Sequence, residues 1–201
     1  MIDLAKNGNL WTVTLNRPEK ANALTKDMLE ELADIAESAR DAKVFVLTGA
    51  GKVFSAGADL DAAKAGLATD PVWERLSGAI AALPGLTIAA LNGSLAGGAF
   101  GMALACDLRI AVTGAKFFYP VMKLGYLPQP SDPRRLSELV GPSRAKLILM
   151  GGAKLTAEDA LTFGLVDSLV DRAALSETIA ELGADALGAD HAHVANIKRM
   201  I

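Results

Sequence analysis

Apolar residues along the chain switch between two spacings, and the switches mark out its elements. Leu10-Trp11-Thr12-Val13-Thr14-Leu15 alternates and is rich in β-branched and aromatic types, which predicts a strand closed by the turn residues Asn16-Arg17-Pro18. From Thr25 to Arg40, Met28, Leu32, Ile35 and Ala39 recur at helical spacing, so an amphipathic helix is expected with Thr25 as its N-cap. Lys43 to Thr48 is a short apolar run bounded by Gly49-Ala50-Gly51, the pattern of a strand buried on both faces. The order then recurs. A helix is expected over Val72 to Leu83, a break at Pro84-Gly85, and a strand over Leu86 to Leu91. A Gly/Ala-rich helix follows from about Gly97 to Ala105, then a strand at Leu108 to Val112. Such alternation predicts an α/β fold whose strand ends aim glycine-rich turns at a shared site. Beyond Pro133 the pattern is mainly helical apart from Leu165 to Val170, and Thr156-Ala157-Glu158-Asp159 has the form of a capping box. No repeat of fixed period and no low-complexity linker interrupts the chain.

At 201 residues the chain fits one domain with at most a small appendage. Lys+Arg 20 against Asp+Glu 23 leaves a net charge of −3, which excludes an electrostatic footprint for nucleic acid and favours a small molecule or a protein as partner. Met1-Ile2-Asp3-Leu4-Ala5-Lys6 carries an acid early and lacks an apolar leader, and no stretch reaches membrane-spanning length, so a soluble, cytoplasmic protein without a membrane partner is expected. Cys106, the only cysteine, sits in an apolar run and reads as a buried packing residue rather than a nucleophile. His191 and His193 follow Asp190 in a pattern that suits either a weak metal site or, preferably, a helix start capped by Asp190; no metal site is expected. Ser94 lacks the Gly-x-Ser-x-Gly flanks of a hydrolase nucleophile.

Glycine-rich segments invite phosphate-binding readings that fail on inspection. Gly51-Lys52 lacks the P-loop's first glycine, because position 46 is Val, and Val53 stands where Ser/Thr belongs. Phe54 likewise occupies the third glycine position of a dinucleotide fingerprint. A better account pairs Phe54-Ser55-Ala56-Gly57-Ala58-Asp59-Leu60 with Asn92-Gly93-Ser94-Leu95-Ala96-Gly97-Gly98-Ala99. Two such turns after buried strands can aim two N–H groups at one oxygen and stabilise negative charge developing there. Spacing alone favours glycines that only permit tight turns and close packing.

These two segments, with Asn16-Arg17-Pro18-Glu19-Lys20-Ala21-Asn22-Ala23-Leu24, Ala105-Cys106-Asp107-Leu108-Arg109 and Ala160-Leu161-Thr162-Phe163-Gly164-Leu165-Val166-Asp167, resemble successive motifs of the enoyl-CoA hydratase/isomerase (crotonase) superfamily. The five occur in the family's order and cover residues from about 10 to 170. The resemblance implies a spiral of ββα units with a truncated C-terminal helical region: a core domain over 1–170 and a helical segment, the family's trimerisation region, over 171–201. It implies an acyl-CoA ligand held between the glycine turns, with Ala58 and Gly98 as backbone donors of an oxyanion hole. Lys20, Ala21 and Ala23 then lie along the CoA, with Ala56 and Asp59 near its adenine end. Tyr119, Lys123, Tyr126 and Gln129 fall in the stretch that lines the acyl pocket, where Tyr126 or Gln129 either orients a polar group of the substrate or packs the wall. No cofactor beyond the CoA of the substrate is implied, and the assembly implied is a homotrimer or a dimer of trimers.

The pattern breaks at two positions. Where the family's hydratases carry catalytic glutamates, this chain has Gly101 and Val121, and neither can exchange a proton with water or the α-carbon. Simple hydration is therefore not expected, and isomerisation through the second carboxylate alone is lost with it. The leading reading is an acyl-CoA lyase, isomerase or hydrolase that relies on the oxyanion hole. The alternatives are an acyl-CoA-binding protein with little turnover and, last, a serine hydrolase or unrelated α/β protein. Asp132, in Pro130-Ser131-Asp132-Pro133, is the nearest replacement carboxylate; Asp followed by Pro reads as an N-cap and first helical residue, with relocated catalysis as the competing role.

Overall fold

A computed structural model describes residues 1–201. The chain opens with a hairpin of β1 (Ile2–Asn7) and β2 (Leu10–Leu15), followed by α1 (Lys26–Ser38), whose first turn is capped by Thr25 accepting from Met28 N. Three coils of one plan follow. In the first, β3 (Val44–Gly49) turns tightly into β4 (Val53–Ser55), then into α2 (Leu60–Lys64) and α3 (Val72–Ala81). In the second, β5 (Leu86–Leu91) turns into β6 (Ser94–Ala96) and α4 (Phe100–Leu104), the latter entered through a 3₁₀ turn over Gly97–Ala99. In the third, β7 (Leu108–Val112) turns into β8 (Lys116–Phe118), α5 (Val121–Leu124) and α6 (Asp132–Val140). The remainder is α7 (Pro142–Leu149), β9 (Lys154–Thr156), α8 (Ala157–Phe163), β10 (Ser168–Val170), α9 (Leu175–Gly188) and α10 (His191–Arg199).

The first strand of each coil joins a six-stranded sheet of order β1-β2-β3-β5-β7-β10, parallel except for the hairpin, and the second joins a four-stranded sheet β4-β6-β8-β9. This is a ββα spiral. Val44 to Leu47 are buried, as a strand covered on both faces requires. α9 lies against β3, β5 and β7, its Leu175 and Ile179 joining the main core, and Gly183 lets it approach until a Cβ would stand 3.4 Å from Val44.

Two buried asparagines pin neighbouring segments to the first tight turn, one from the second coil and one from the loop before α1. Asn92, which follows β5, accepts at 3.0 Å from the N–H of Gly49, the last residue of β3, and donates at 3.1 Å to Gly51 O in the turn after it. Asn22 donates to Ala50 O and Val53 O at 2.9 and 2.8 Å. Gly93 passes so close to the same turn that a Cβ there would stand 2.1 Å from Lys52 O. No other residue fits.

Candidate functional site

The turns that leave β4 and β6 meet. Gly57 and Gly97 adopt left-handed φ values of 89° and 56°. A Cβ on Gly57 would stand 2.9 Å from Ala96 O and 3.3 Å from Gly97 Cα, so glycine is required for the turns to touch. Ser55 fixes the first turn from below: its hydroxyl donates to Asn22 O at 2.8 Å and accepts from Gly57 N at 3.1 Å. Leu24 N donates to Gly57 O and Asp59 N donates to Leu24 O, both at 2.8 Å. In this parallel bridge the intervening Ala58 N–H points away from Leu24. On the second turn Gly98 lies over Trp73, whose ring a Cβ would meet at 3.2 Å, and the indole N–H is tied to Leu67 O at 2.7 Å.

Six of the residues singled out from the sequence, Ala56, Ala58, Gly98, Tyr119, Tyr126 and Gln129, line one cavity of about 260 Å³, with Trp73 and Val121 among its other walls. Gln129 is buried and tethered through Nε2 to Ala68 O at 3.2 Å, whereas Tyr126 lies half-exposed at the rim. Leu60, Leu124 and Leu127 also line the cavity and are exposed to solvent. Lys20, Ala21, Ala23, Asp59 and Lys123 stand outside the cavity wall. Ala21 takes a left-handed φ of 51°, and Lys20 is exposed. Arg17 bridges Ala23 O and Asp59 Oδ2, each at 2.9 Å, and this guanidinium holds the Asp59 carboxyl below its ordinary range. Asp59 Oδ1 caps α2, accepting from Asp61 N and Ala62 N.

Asp132 is not a cap, contrary to the expectation from its Asp-Pro sequence. The helix starts one residue earlier, with Ser131 at the N-cap position, and Ser131 N–H and Oγ both donate to Glu74 Oε1 at 3.0 Å. Asp132 instead turns inward and is fully buried; the Tyr119 hydroxyl donates to its Oδ2 at 2.8 Å, and Oδ1 has no partner. Oδ1 lies 2.9 Å from where a Cβ of Gly101 would be, so the carboxyl fills the space that Gly101 leaves. Burial pushes the Asp132 pKa up to about 7, against the Tyr119 hydrogen bond, which favours the ionised form; the nearby Glu74 raises it further. Burial and the same carboxyl push the Tyr119 hydroxyl well above its usual range. One signal was available in the sequence: Asp132, Leu136 and Val140 recur at four-residue spacing and are the buried face of α6.

The remaining candidates are structural. Cys106 is buried, its thiol pushed up to about 12 by desolvation. Asp190 caps α10 through Ala192 N at 2.8 Å, and His191 Nε2 lies 3.0 Å from Arg40 O. Ser94 Oγ accepts from Lys116 N at 3.1 Å.

Comparison with known proteins agrees with this architecture. Residues 5–201 match the family model described as enoyl-CoA hydratase/isomerase. The chain is 38% identical over 192 residues to the short-chain-enoyl-CoA hydratase of Clostridium acetobutylicum, covering 89% of this chain and 72% of that one. It is 34% identical over 209 residues to the carnitinyl-CoA dehydratase of Escherichia coli K12, covering 99% and 79%. The solved enoyl-CoA hydratase of Bacillus anthracis superposes with a TM-score of 0.90 at 31% identity, covering 98% of this chain and 81% of that one. The α/β spiral is the crotonase fold. The chain belongs to the enoyl-CoA hydratase/isomerase family.

Proposed function

We propose that the cavity takes the acyl end of an acyl-CoA thioester and polarises the thioester carbonyl with the N–H groups of Ala58 and Gly98. The observation that carries this reading is the contact between the Gly57 and Gly97 turns, which brings the two following residues to one cavity wall. Ala58 N–H is turned off the Leu24 bridge, and Gly98 lies in the first turn of a helical stretch, where N–H groups have no intrahelical acceptor. Two such donors on a rigid backbone stabilise an enolate oxygen without reorganising, typically worth about 3–4 kcal/mol per donor in an acyl-transfer site. Apolar walls around them strengthen the effect by keeping water out.

With Gly101 and Val121 at the positions where the family's hydratases carry glutamate, the reaction is not simple hydration. Lys20, Ala21, Ala23, Ala56 and Asp59 are proposed to border the CoA, whose thioester is substrate rather than a resident cofactor. The exposed Leu60, Leu124 and Leu127 favour covering of the cavity mouth by further copies of the chain, in a trimer or a multiple of three. A second reading, binding with little turnover, is favoured by the absence of any carboxylate on the cavity wall itself.

The test is a melting experiment with butyryl-CoA, NAD and ATP in parallel. Ligand at about 100 times its Kd stabilises by roughly 2.7 kcal/mol, a rise of about 5–10 °C for a chain of this size. Butyryl-CoA alone is expected to give it. No shift at millimolar thioester refutes the reading, and product formation across an acyl-CoA panel, read by mass spectrometry, separates enzyme from binder.

A further inference from the structure

Asp132 Oδ1 is the one buried side-chain nitrogen or oxygen without a hydrogen-bond partner. The other buried charge, Arg109, is fully used: it donates to Leu165 O, Cys106 O and Asp107 O and pairs with Asp167. A sealed carboxyl with a single hydrogen bond destabilises the fold relative to an apolar side chain of its size, so packing does not account for it. Its one partner, Tyr119, belongs to the wall of the cavity that also contains Ala58 and Gly98. The Phe100 ring stacks on Tyr119 with centroids 5.3 Å apart and holds it in place. The only other hydrogen bond to the Tyr119 hydroxyl oxygen is a long one from Gln129 N at 3.4 Å, which leaves that oxygen a lone pair able to accept a proton.

We infer that Tyr119 and Asp132 form a two-member proton relay for the α-carbon of an acyl group held in this cavity, with Tyr119 touching substrate and Asp132 positioned behind it. The inference rests on the acyl-CoA reading above. In the forward step the α-C–H bond breaks and its proton bonds to the Tyr119 oxygen. The Tyr119 O–H bond breaks in the same event, and that proton bonds to Asp132 Oδ2, leaving a neutral carboxylic acid. The C–H electron pair moves into the enolate, whose oxygen is held by the two backbone donors. The reverse step returns a proton to carbon, at the α-position or, for a β,γ-unsaturated acyl chain, at the γ-position. No oxidant, reductant or water is consumed.

Tyrosine alone is far too weak an acid to hand on its proton near neutrality, and Asp132 alone is not on the cavity wall. Coupled, they present a net base whose affinity for a proton suits neutral pH. The groups facing the carboxyl are Tyr119, Glu74 from α3 and Arg135 from α6; α4, which faces it with Gly101, brings no titratable residue. Ionised Asp132 is the acceptor, so the rate rises as pH passes through about 7.

The experiment incubates the full chain with 3-butenoyl-CoA in D2O across pH 5.5 to 8.5, against a protein-free blank. Deuterium uptake and 2-butenoyl-CoA formation are read by mass spectrometry, with thioester binding read by melting shift. The native chain is expected to exchange, faster as pH rises through about 7. Tyr119→Phe, which keeps the ring, and Asp132→Asn, which keeps the hydrogen bond, are each expected to lose about 100-fold or more while retaining the melting shift. The residual rate of Asp132→Asn should also be flat with pH, which a merely structural role would not produce. Native binding with neither exchange nor 2-butenoyl-CoA formation, or both undiminished in Asp132→Asn, overturns the relay and leaves the acyl-CoA reading standing. Absence of both binding and exchange overturns the acyl-CoA reading and the relay with it. Should Tyr119→Phe fail to fold, Asp132→Asn decides alone.

Discussion

Replacing Asp132 by Asn should make the protein more stable, by an amount that grows with pH. The native carboxyl has a folded-state pKa raised to about 7, above an ordinary value of 3.8, so over that interval the folded chain binds more protons than the unfolded one. Stability therefore falls as pH rises from about 4 to about 7 and levels off above. At 1.36 kcal/mol per unit the full cost of ionising the buried group is about 4 kcal/mol. Linkage gives roughly 2 kcal/mol of it at pH 5 and about 4 kcal/mol at pH 8. Asn is isosteric and accepts the Tyr119 bond but does not ionise, so the variant escapes the pH-dependent part. Any fixed offset from its amide cancels when the two pH values are compared. Urea denaturation of both proteins at pH 5 and pH 8 should show the variant gaining about 2–3 kcal/mol on the native chain between the two, or roughly 5–10 °C in Tm. A stability difference that stays constant across this range means that Asp132 is ionised throughout, and the burial argument is then wrong.

Other expectations follow from the same geometry. Purified protein should hydrate crotonyl-CoA at the rate of a blank, followed by loss of the conjugated-enoyl absorbance, because neither Gly101 nor Val121 activates water; robust turnover would place the acid and base elsewhere. Gly93→Ala should cost at least about 3 kcal/mol in urea denaturation, since its Cβ would stand 2.1 Å from Lys52 O and the obstacle is backbone rather than a side chain that can rotate. Native-like stability of that variant would show that the turns are looser than described. Light scattering at micromolar concentration should report a trimer or a multiple of three, and a monodisperse monomer would leave Leu60, Leu124 and Leu127 uncovered and refute the oligomer proposal.

The large sheet was legible in the sequence because its inner strands are long enough to carry a pattern. Lys43 to Thr48 read as a buried run and Leu86 to Leu91 as a strand, and the caps at Thr25, Thr156 and Asp190 announced their helices. The small sheet was not legible. Its strands β4, β6, β8 and β9 are three residues each, too short for any period to appear, and they exist only because neighbouring coils supply their partners. β1 was missed for a related reason: Ile2 to Asn7 is mostly exposed and takes its form from pairing with β2. At the site, the glycine turns were legible through composition, whereas Asp132 was misread by local rules. Asp-Pro is a sound capping pair, but the buried face of α6 includes Asp132, and a one-residue difference in helix start turned the carboxyl from solvent to the interior.

The asparagine pins also govern the order in which the molecule can assemble. Gly49 N–H, in the first coil, finds its acceptor on Asn92, 43 residues later in the second. The first tight turn is thus closed by a residue that arrives only once the next strand has docked, and a chain cut before Asn92 leaves that amide open to solvent. Amide exchange at Gly49 then becomes a gauge, read in one coil, of whether its successor is in place.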